Sequence, residues 1–290
     1  MIEARWYEKL EGEKVKCFLC PRGCTIESGR RGVCGARENR GGKLYSLVYG
    51  EITSWWPDPI EKKPLYHFWP GSTAYSIGSV GCNFKCIHCQ NWQISQATPG
   101  EIYTERFTPE KVVDEAIKYG CKSIAYTYNE PTISWEFVCD TAKLAREKNV
   151  LNVIVTNGYI TEKALLDCIE WLDAANVDIK AFTDEFYRKV CGVPSLEPVL
   201  KSTKLMKEKG VHVEVTYLII PDYNDDFDEI REFSRWCVKN LGKETPIHFS
   251  RFFPNYKLLD KPPTPIETII RAREIAMEEG AEYVYVGNIP

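Results

Sequence analysis

The chain predicts an α/β fold of repeated βα units behind an irregular, cysteine-rich N-terminal subdomain, and three observations carry that expectation. From about residue 108 onward, short apolar runs alternate with longer amphipathic ones at a spacing of about 30 residues. Each short run is rich in β-branched or aromatic residues, which suit a pleated, half-buried surface. The first 70 or so residues break the pattern with clustered cysteines, the pair Gly41 and Gly42, and the run WWPDPIEKKPLYHFWPG, dense in proline and aromatics.

The elements follow in order. The run Ala74 to Ile77 supplies a first strand. Thr108 then caps a helix, with Pro109 at the favoured first position, Glu110 matched to the helix dipole, and Val112, Val113, Ala116 and Ile117 as the buried stripe before Gly120. Further strands are expected at Ser123 to Thr127, Asn152 to Thr156, Asn176 to Ile179, Val211 to Ile219, Ile247 to Phe252 and Tyr283 to Val286. Helices are expected between them at 133–147, 161–172, 196–209, 225–239 and 266–279. Such alternation permits an open doubly wound sheet or a barrel, whole or partial, and periodicity does not choose between them. Residues 1–72 form the expected N-terminal subdomain and 73–290 the repeat.

Composition excludes several classes. A chain of 290 residues with 44% hydrophobic and 27% charged residues is neither disordered nor fibrous. A net charge of −4 argues against a globally basic nucleic-acid binder, and Trp55, Trp56 and the tyrosines are not interleaved with a basic stripe. No apolar run approaches the roughly 18 residues that span a bilayer, and the opening MIEARWYEKLEGEK carries charge where a secretory signal has an apolar core, so a cytoplasmic location is expected.

Twelve cysteines are many for a reducing compartment, which turns attention to metal or cluster binding. Five are scattered and read as small buried hydrophobes. The segment GCNFKCIHCQNW sets Cys82, Cys86 and Cys89 as C-x3-C-x2-C directly after the first strand. Three thiolates in one short loop can hold three irons of a [4Fe-4S] cluster and leave the fourth open, as catalytic metals keep an open position. A second group, Cys17, Cys20, Cys24 and Cys34, runs C-x2-C-x3-C-x9-C with Pro21, Gly23, Gly32 and Gly35 interleaved. Four thiolates close either a zinc site or a second [4Fe-4S] cluster, and spacing does not separate these from unligated thiols.

The Cys82 motif resembles that of the radical S-adenosylmethionine (SAM) superfamily. The segments FLCPRGCTIESGRRGVCGAR, DPIEKKPLYHFWPGS, YTYNEPT, TNGYI, VDIKAF, HFSRFFPNYK and VGNIP extend the likeness over nearly the whole chain. Within the superfamily the chain is similar to the glycyl-radical-enzyme activases, and among them to the AmmeMemoRadiSam system enzymes. The resemblance implies a partial (β/α)6 TIM-like barrel, a cluster that cleaves SAM with one electron, and a 5′-deoxyadenosyl radical that takes hydrogen from a substrate. It also implies a ferredoxin- or flavodoxin-type reductant and Memo-like and Amme-like protein partners.

In a parallel repeat, residues at the carboxyl ends of strands converge on one rim. Glu130, Thr156, Asn157, Asp178, Lys180, His248 and Arg251 fall there and offer both charge signs to a cofactor bearing an ammonium and a carboxylate. By resemblance, Glu130 receives the ammonium, Lys180 answers the carboxylate, Asp178 takes the ribose or methionyl end, His248 lies beside the cofactor, and His88 stacks on adenine where relatives carry Tyr or Phe. YNEP stands where the activases carry two glycines, replaced here by Tyr128 and Asn129. Lys62, Lys63, Tyr66, His67 and Trp69 either reach over the barrel mouth or form an aromatic plug. Cys191, in the loop after the fourth strand, is a candidate hydrogen-atom donor. The expected activity is activation of a protein glycyl residue. The alternatives are modification of a small molecule or other macromolecule, and a non-catalytic zinc-binding adaptor.

Overall fold

The computed structural model describes residues 1–289. Eight strands form the principal sheet: β1 (Ser54–Pro59), β2 (Thr73–Gly78), β3 (Ser123–Tyr126), β4 (Leu151–Thr156), β5 (Ala174–Asp178), β6 (His212–Ile219), β7 (Ile247–Arg251) and β8 (Val284–Gly287). They lie side by side in chain order; β2 to β8 are parallel, and β1 runs antiparallel along β2. The seven expected strands are therefore present. The eighth, SWWPDP, holds two prolines and is tolerated because it is an edge strand, where missing N–H donors do no harm.

Helices α1 (Pro109–Lys118), α2 (Trp135–Glu147), α3 (Glu197–Glu208), α4 (Phe227–Leu241) and α5 (Ile266–Glu278) fill most connections. Thr108 caps α1 by accepting the Lys111 N–H at 3.2 Å. Ile117 is 49% exposed, so the stripe on α1 stops at Ala116. The helix expected at 161–172 shrinks to Glu162–Leu166 and a single 3-10 turn at Ile169–Trp171. Contacts with β4 draw this stretch inward: Asn152 Nδ2 donates to Trp171 O, and Asp173 N to Asn152 O.

Inward residues alternate with outward ones, and the sheet curls around the inward set. Asp58 at one edge and Asn288 just after β8 at the other line the same central cavity, while among the described residues no ladder joins β1 to β8. The result is a barrel left open on one side. Outward residues such as Ile124, Ile154, Val177, Val215 and Phe249 pack under the helices. At the amino end of the strands the interior is lined by Ala74, Ala125, Val153 and Ala174, and these small side chains leave room for Ile60, Leu65 and Phe68. Residues 54–72, grouped with the N-terminal subdomain in the sequence, thus belong to the barrel as edge strand and plug. Tyr66, His67 and Phe68 close the end opposite the mouth.

Glu214 of β6 anchors this plug. Its carboxylate, with no solvent exposure, accepts the backbone N–H of Tyr66 (3.0 Å) and His67 (2.7 Å) and meets the Nε2 atoms of His212 (3.0 Å) and His248 (2.6 Å). Residues 1–52 form two small three-stranded sheets and a strand pairing at Glu51–Ile52, with the layer clamped to α2 by the buried pair Arg37–Glu136.

Burial raises the Glu214 carboxyl, but hydrogen bonds from His212, His248, Tyr66 and His67 outweigh it and hold it down to about 2 from an ordinary 4.5. A carboxylate depressed on folding contributes stability that is complete above the unfolded value and is lost as pH falls through the folded one. Urea unfolding midpoints of the wild type should therefore fall between about pH 4.5 and 2, and Glu214→Gln should flatten that limb. At neutral pH, Glu214→Ala should cost about 3 kcal/mol, since it strips the partner from the buried His248, the half-buried His212 and two N–H groups.

Candidate active site

The loop after β2 carries three thiols to one end of a cavity of about 530 Å³ at the carboxyl ends of the strands. Gly81 starts the loop with φ +99°, and a Cβ there would lie 2.7 Å from Cys34 O, so only glycine lets the loop pass the N-terminal layer. Phe84 N donates to Cys82 Sγ (3.3 Å), and Cys89 Sγ lies 3.0 Å from Ser95 Oγ. Beyond β3, Asn129 accepts from Ser79 N (2.9 Å) and donates to Gly81 O (2.9 Å), stitching the YNEP turn to this loop. Tyr128 takes φ +68°, a left-handed conformation natural to the glycine it replaces, and its hydroxyl donates to Asp58 Oδ2 at 2.8 Å. The two substitutions preserve the close approach: Gly78 has no room for a Cβ, with Tyr128 Cβ 2.9 Å away.

Glu130 is the most heavily engaged group in the wall. Its Oε1 accepts from Thr132 N, Thr132 Oγ1 and Thr156 Oγ1 at 3.0, 2.6 and 2.7 Å, and its Oε2 from Asn157 N at 2.8 Å. Burial raises its pKa, with those donors working against the rise. Asn157 continues the network through Nδ2 to Asn83 Oδ1 (2.8 Å), next to Cys82. Across the cavity Lys180 Nζ pairs with Asp178 Oδ2 at 2.7 Å. Burial disfavours the Lys180 charge, but Asp178 and Cys86 raise its pKa overall. His88 is buried in the wall with Nδ1 lacking a partner, and burial with the Lys180 charge pushes the ring down to about 3, so it is neutral.

Cys82, Cys86, Cys89, His88, Glu130, Thr156, Asn157, Asp178 and Lys180 thus share one cavity. His248, Arg251 and Cys191 do not line it. His248 points inward two residues before the rim residue Ser250, and sits under the plug against Glu214, Tyr66 and Tyr285. Arg251 falls on the outward phase of β7, where its Nε donates to Thr264 O. Cys191 is fully buried behind the thiol loop: its carbonyl accepts from Lys85 N at 2.8 Å, and its thiol, ahead of burial, pushes the Cys86 thiol well up. A site open to substrate is not where it lies.

Asp58 was missed in the sequence. It pairs with Lys62 (3.2 Å) and Lys63 (2.9 Å), and all three line the cavity floor rather than its mouth. The four-residue spacing of Asp58 and Lys62 was the available signal. The N-terminal cysteines Cys17, Cys20, Cys24 and Cys34 line a separate, small cavity behind the thiol loop. Among the described residues no helix is long and apolar enough to cross a membrane.

Comparison with known proteins agrees with this geometry. The family model described as the Radical SAM superfamily matches residues 76–234, more than half of the chain. An uncharacterized protein of Methanocaldococcus jannaschii is 53% identical over all of this chain and 86% of its own. The pyruvate formate-lyase 1-activating enzyme of Escherichia coli is 21% identical over 71% of this chain and 89% of its own. A solved radical SAM methyltransferase from Sphaerobacter thermophilus has a TM-score of 0.57 at 15% identity, covering 98% of this chain and 76% of that one, which shows a shared fold.

Every group around the Glu130 carboxylate is a donor, so an amide in its place turns one nitrogen toward other donors. Glu130→Gln should lower unfolding stability by about 2 kcal/mol in urea titration. Glu130→Asp, which keeps the charge but shortens the reach, should lose less.

Proposed function

The chain belongs to the radical SAM superfamily, an enzyme family that works with a [4Fe-4S] cluster and SAM, and from that premise we propose that it cleaves SAM reductively in the central cavity to start hydrogen abstraction from a substrate C–H bond. The observation that carries this is the sharing of one cavity by the three thiols and a wall holding a buried carboxylate, an Asp–Lys pair and an unpartnered neutral imidazole. When bound, the cluster and SAM together supply one-electron cleavage of the sulfonium and a carbon radical that abstracts hydrogen.

The residues suit that cargo. Cys82, Cys86 and Cys89 would hold three irons and leave one for the amino and carboxylate groups of SAM. Glu130 Oε2, with one donor against three on Oε1, keeps acceptor capacity for an N–H of that amino group. Lys180 would face the carboxylate, and Asp178, released from part of its pairing, a ribose hydroxyl. His88 would offer Nδ1 to the adenine edge rather than only a stacking face. The plug closes one end of the cavity to bulk water, a start on the exclusion that a reactive radical requires.

Likeness to the Escherichia coli activating enzyme supports an activase-type target, the Cα–H of a glycyl residue in a partner protein. Membership of the AmmeMemoRadiSam branch, Memo-like and Amme-like partners, a ferredoxin- or flavodoxin-type donor and a cytoplasmic setting belong to the same proposal and rest on the motifs quoted above.

Anaerobically reconstituted protein, reduced with dithionite, should convert SAM to methionine and 5′-deoxyadenosine, measured by chromatography. The variant Cys82→Ala/Cys86→Ala/Cys89→Ala should lose about four irons and drop product to background. A folded, iron-loaded wild type that leaves SAM intact would overturn the proposal. Asp178→Asn should weaken SAM binding about tenfold, by roughly 1.4 kcal/mol, in calorimetry of the reconstituted protein.

A further inference from the structure

We propose that Cys17, Cys20, Cys24 and Cys34 hold a second [4Fe-4S] cluster, set behind the thiol loop of the main cavity. This assignment is independent of the reaction proposed above.

All four thiols line one small cavity whose remaining wall is mostly apolar, with Leu19, Ile26 and Ile133 beside them. The local backbone holds them there. Cys17 N donates to Cys24 O at 2.9 Å, and Gly23 N to Cys20 O at 3.1 Å. Gly35, at φ +74°, turns the chain after Cys34 where a Cβ would strike Thr98 Cγ2 at 2.8 Å. In the neighbouring thiol loop, Phe84 N donates to Cys82 Sγ at 3.3 Å. N–H donors aimed at sulfur favour thiolate over thiol, because hydrogen bonds to a charged acceptor are the stronger kind.

Arg37 is the second, independent sign. Its guanidinium is 1% exposed and lines the same cavity. The terminal nitrogens donate to Glu136 at 2.8 and 2.6 Å, but Nε has no partner. Buried donors are rarely left unpaired, and a neutral thiol is a weak acceptor. Cluster-bound thiolate or sulfide would satisfy that N–H, which the Glu136 carboxylate leaves free.

Position favours a cluster over zinc. The two thiol groups are neighbours: Asn83 lines the small cavity, and Cys82 and Phe84 on either side of it line the large one. A cluster there would lie beside the three-thiol loop, where a redox centre has a use that zinc, which has no redox chemistry, does not. Arg22 fastens the arrangement, donating from Nε to Asn83 O and from a terminal nitrogen to Gly192 O, both at 2.5 Å.

The test is metal content of the full chain after anaerobic reconstitution with iron and sulfide. Wild type should hold about eight irons, and the Cys82→Ala/Cys86→Ala/Cys89→Ala variant should retain about four, with about four sulfides and a dithionite-reduced EPR signal that SAM does not shift. Cys20→Ala/Cys34→Ala should lower wild-type iron to about four while keeping a SAM-sensitive signal. About one zinc and no iron in the first variant, folded by circular dichroism, would overturn the proposal, as would a metal-free site. A wild type whose iron does not fall in that first variant would instead overturn the ligand roles of Cys82, Cys86 and Cys89. The iron and zinc content of unmutated protein decides the matter even where Cys20→Ala/Cys34→Ala fails to fold.

Discussion

The rim of this barrel is organised by one buried carboxylate. Glu130 gathers donors from its own turn and from the end of β4, and Asn157 passes the constraint to Asn83 beside Cys82. A loop carrying three cysteines has no fixed shape of its own, and here it inherits one from strand ends that a shared acceptor holds together. Desolvating such a group is costly unless each lone pair is used, so the network is tolerable only because it is nearly complete. Asn129 adds a second stitch from the same turn, at the expense of a left-handed Tyr128.

At the other end, a second carboxylate solves a different problem. An open, curled sheet has an interior that water enters unless something fills it, and the segment 60–68 does so over a layer of alanines. Glu214 secures that segment through two backbone N–H groups and two histidines. The floor this creates carries Asp58 between Lys62 and Lys63, so the cavity is charged below as well as at its rim. The cavity therefore presents both charge signs at its rim and at its floor.

The N-terminal layer is more than a cover. Arg37 binds it to α2 through Glu136, Arg5 grips Asp140 on the same helix, and Arg22 reaches the backbone of the thiol loop and of the turn behind it. These contacts place two cysteine groups on either side of one stretch of chain.

Much of this was legible in the residues themselves, because the signals are local. The alternation of β-branched runs with amphipathic ones and the Thr108–Pro109 start place the strands, and every helix but the one expected at 161–172, within a few residues of their observed bounds, and C-x3-C-x2-C identifies the thiol loop by spacing alone. What tertiary structure decided lies in contacts between residues far apart in sequence. Whether a strand-end side chain meets the cavity depends on its phase in a curled sheet, which sends Arg251 outward and leaves His248 under the plug, one inward step short of the rim. That the aromatic run closes the far end and that Cys191 backs the thiol loop follow likewise from packing partners more than 100 residues distant, such as Glu214 for Tyr66 and Gly192 for Arg22. No local pattern encodes those pairings, since they arise only when the outward faces of eight strands are buried together and the inward faces are left to be filled.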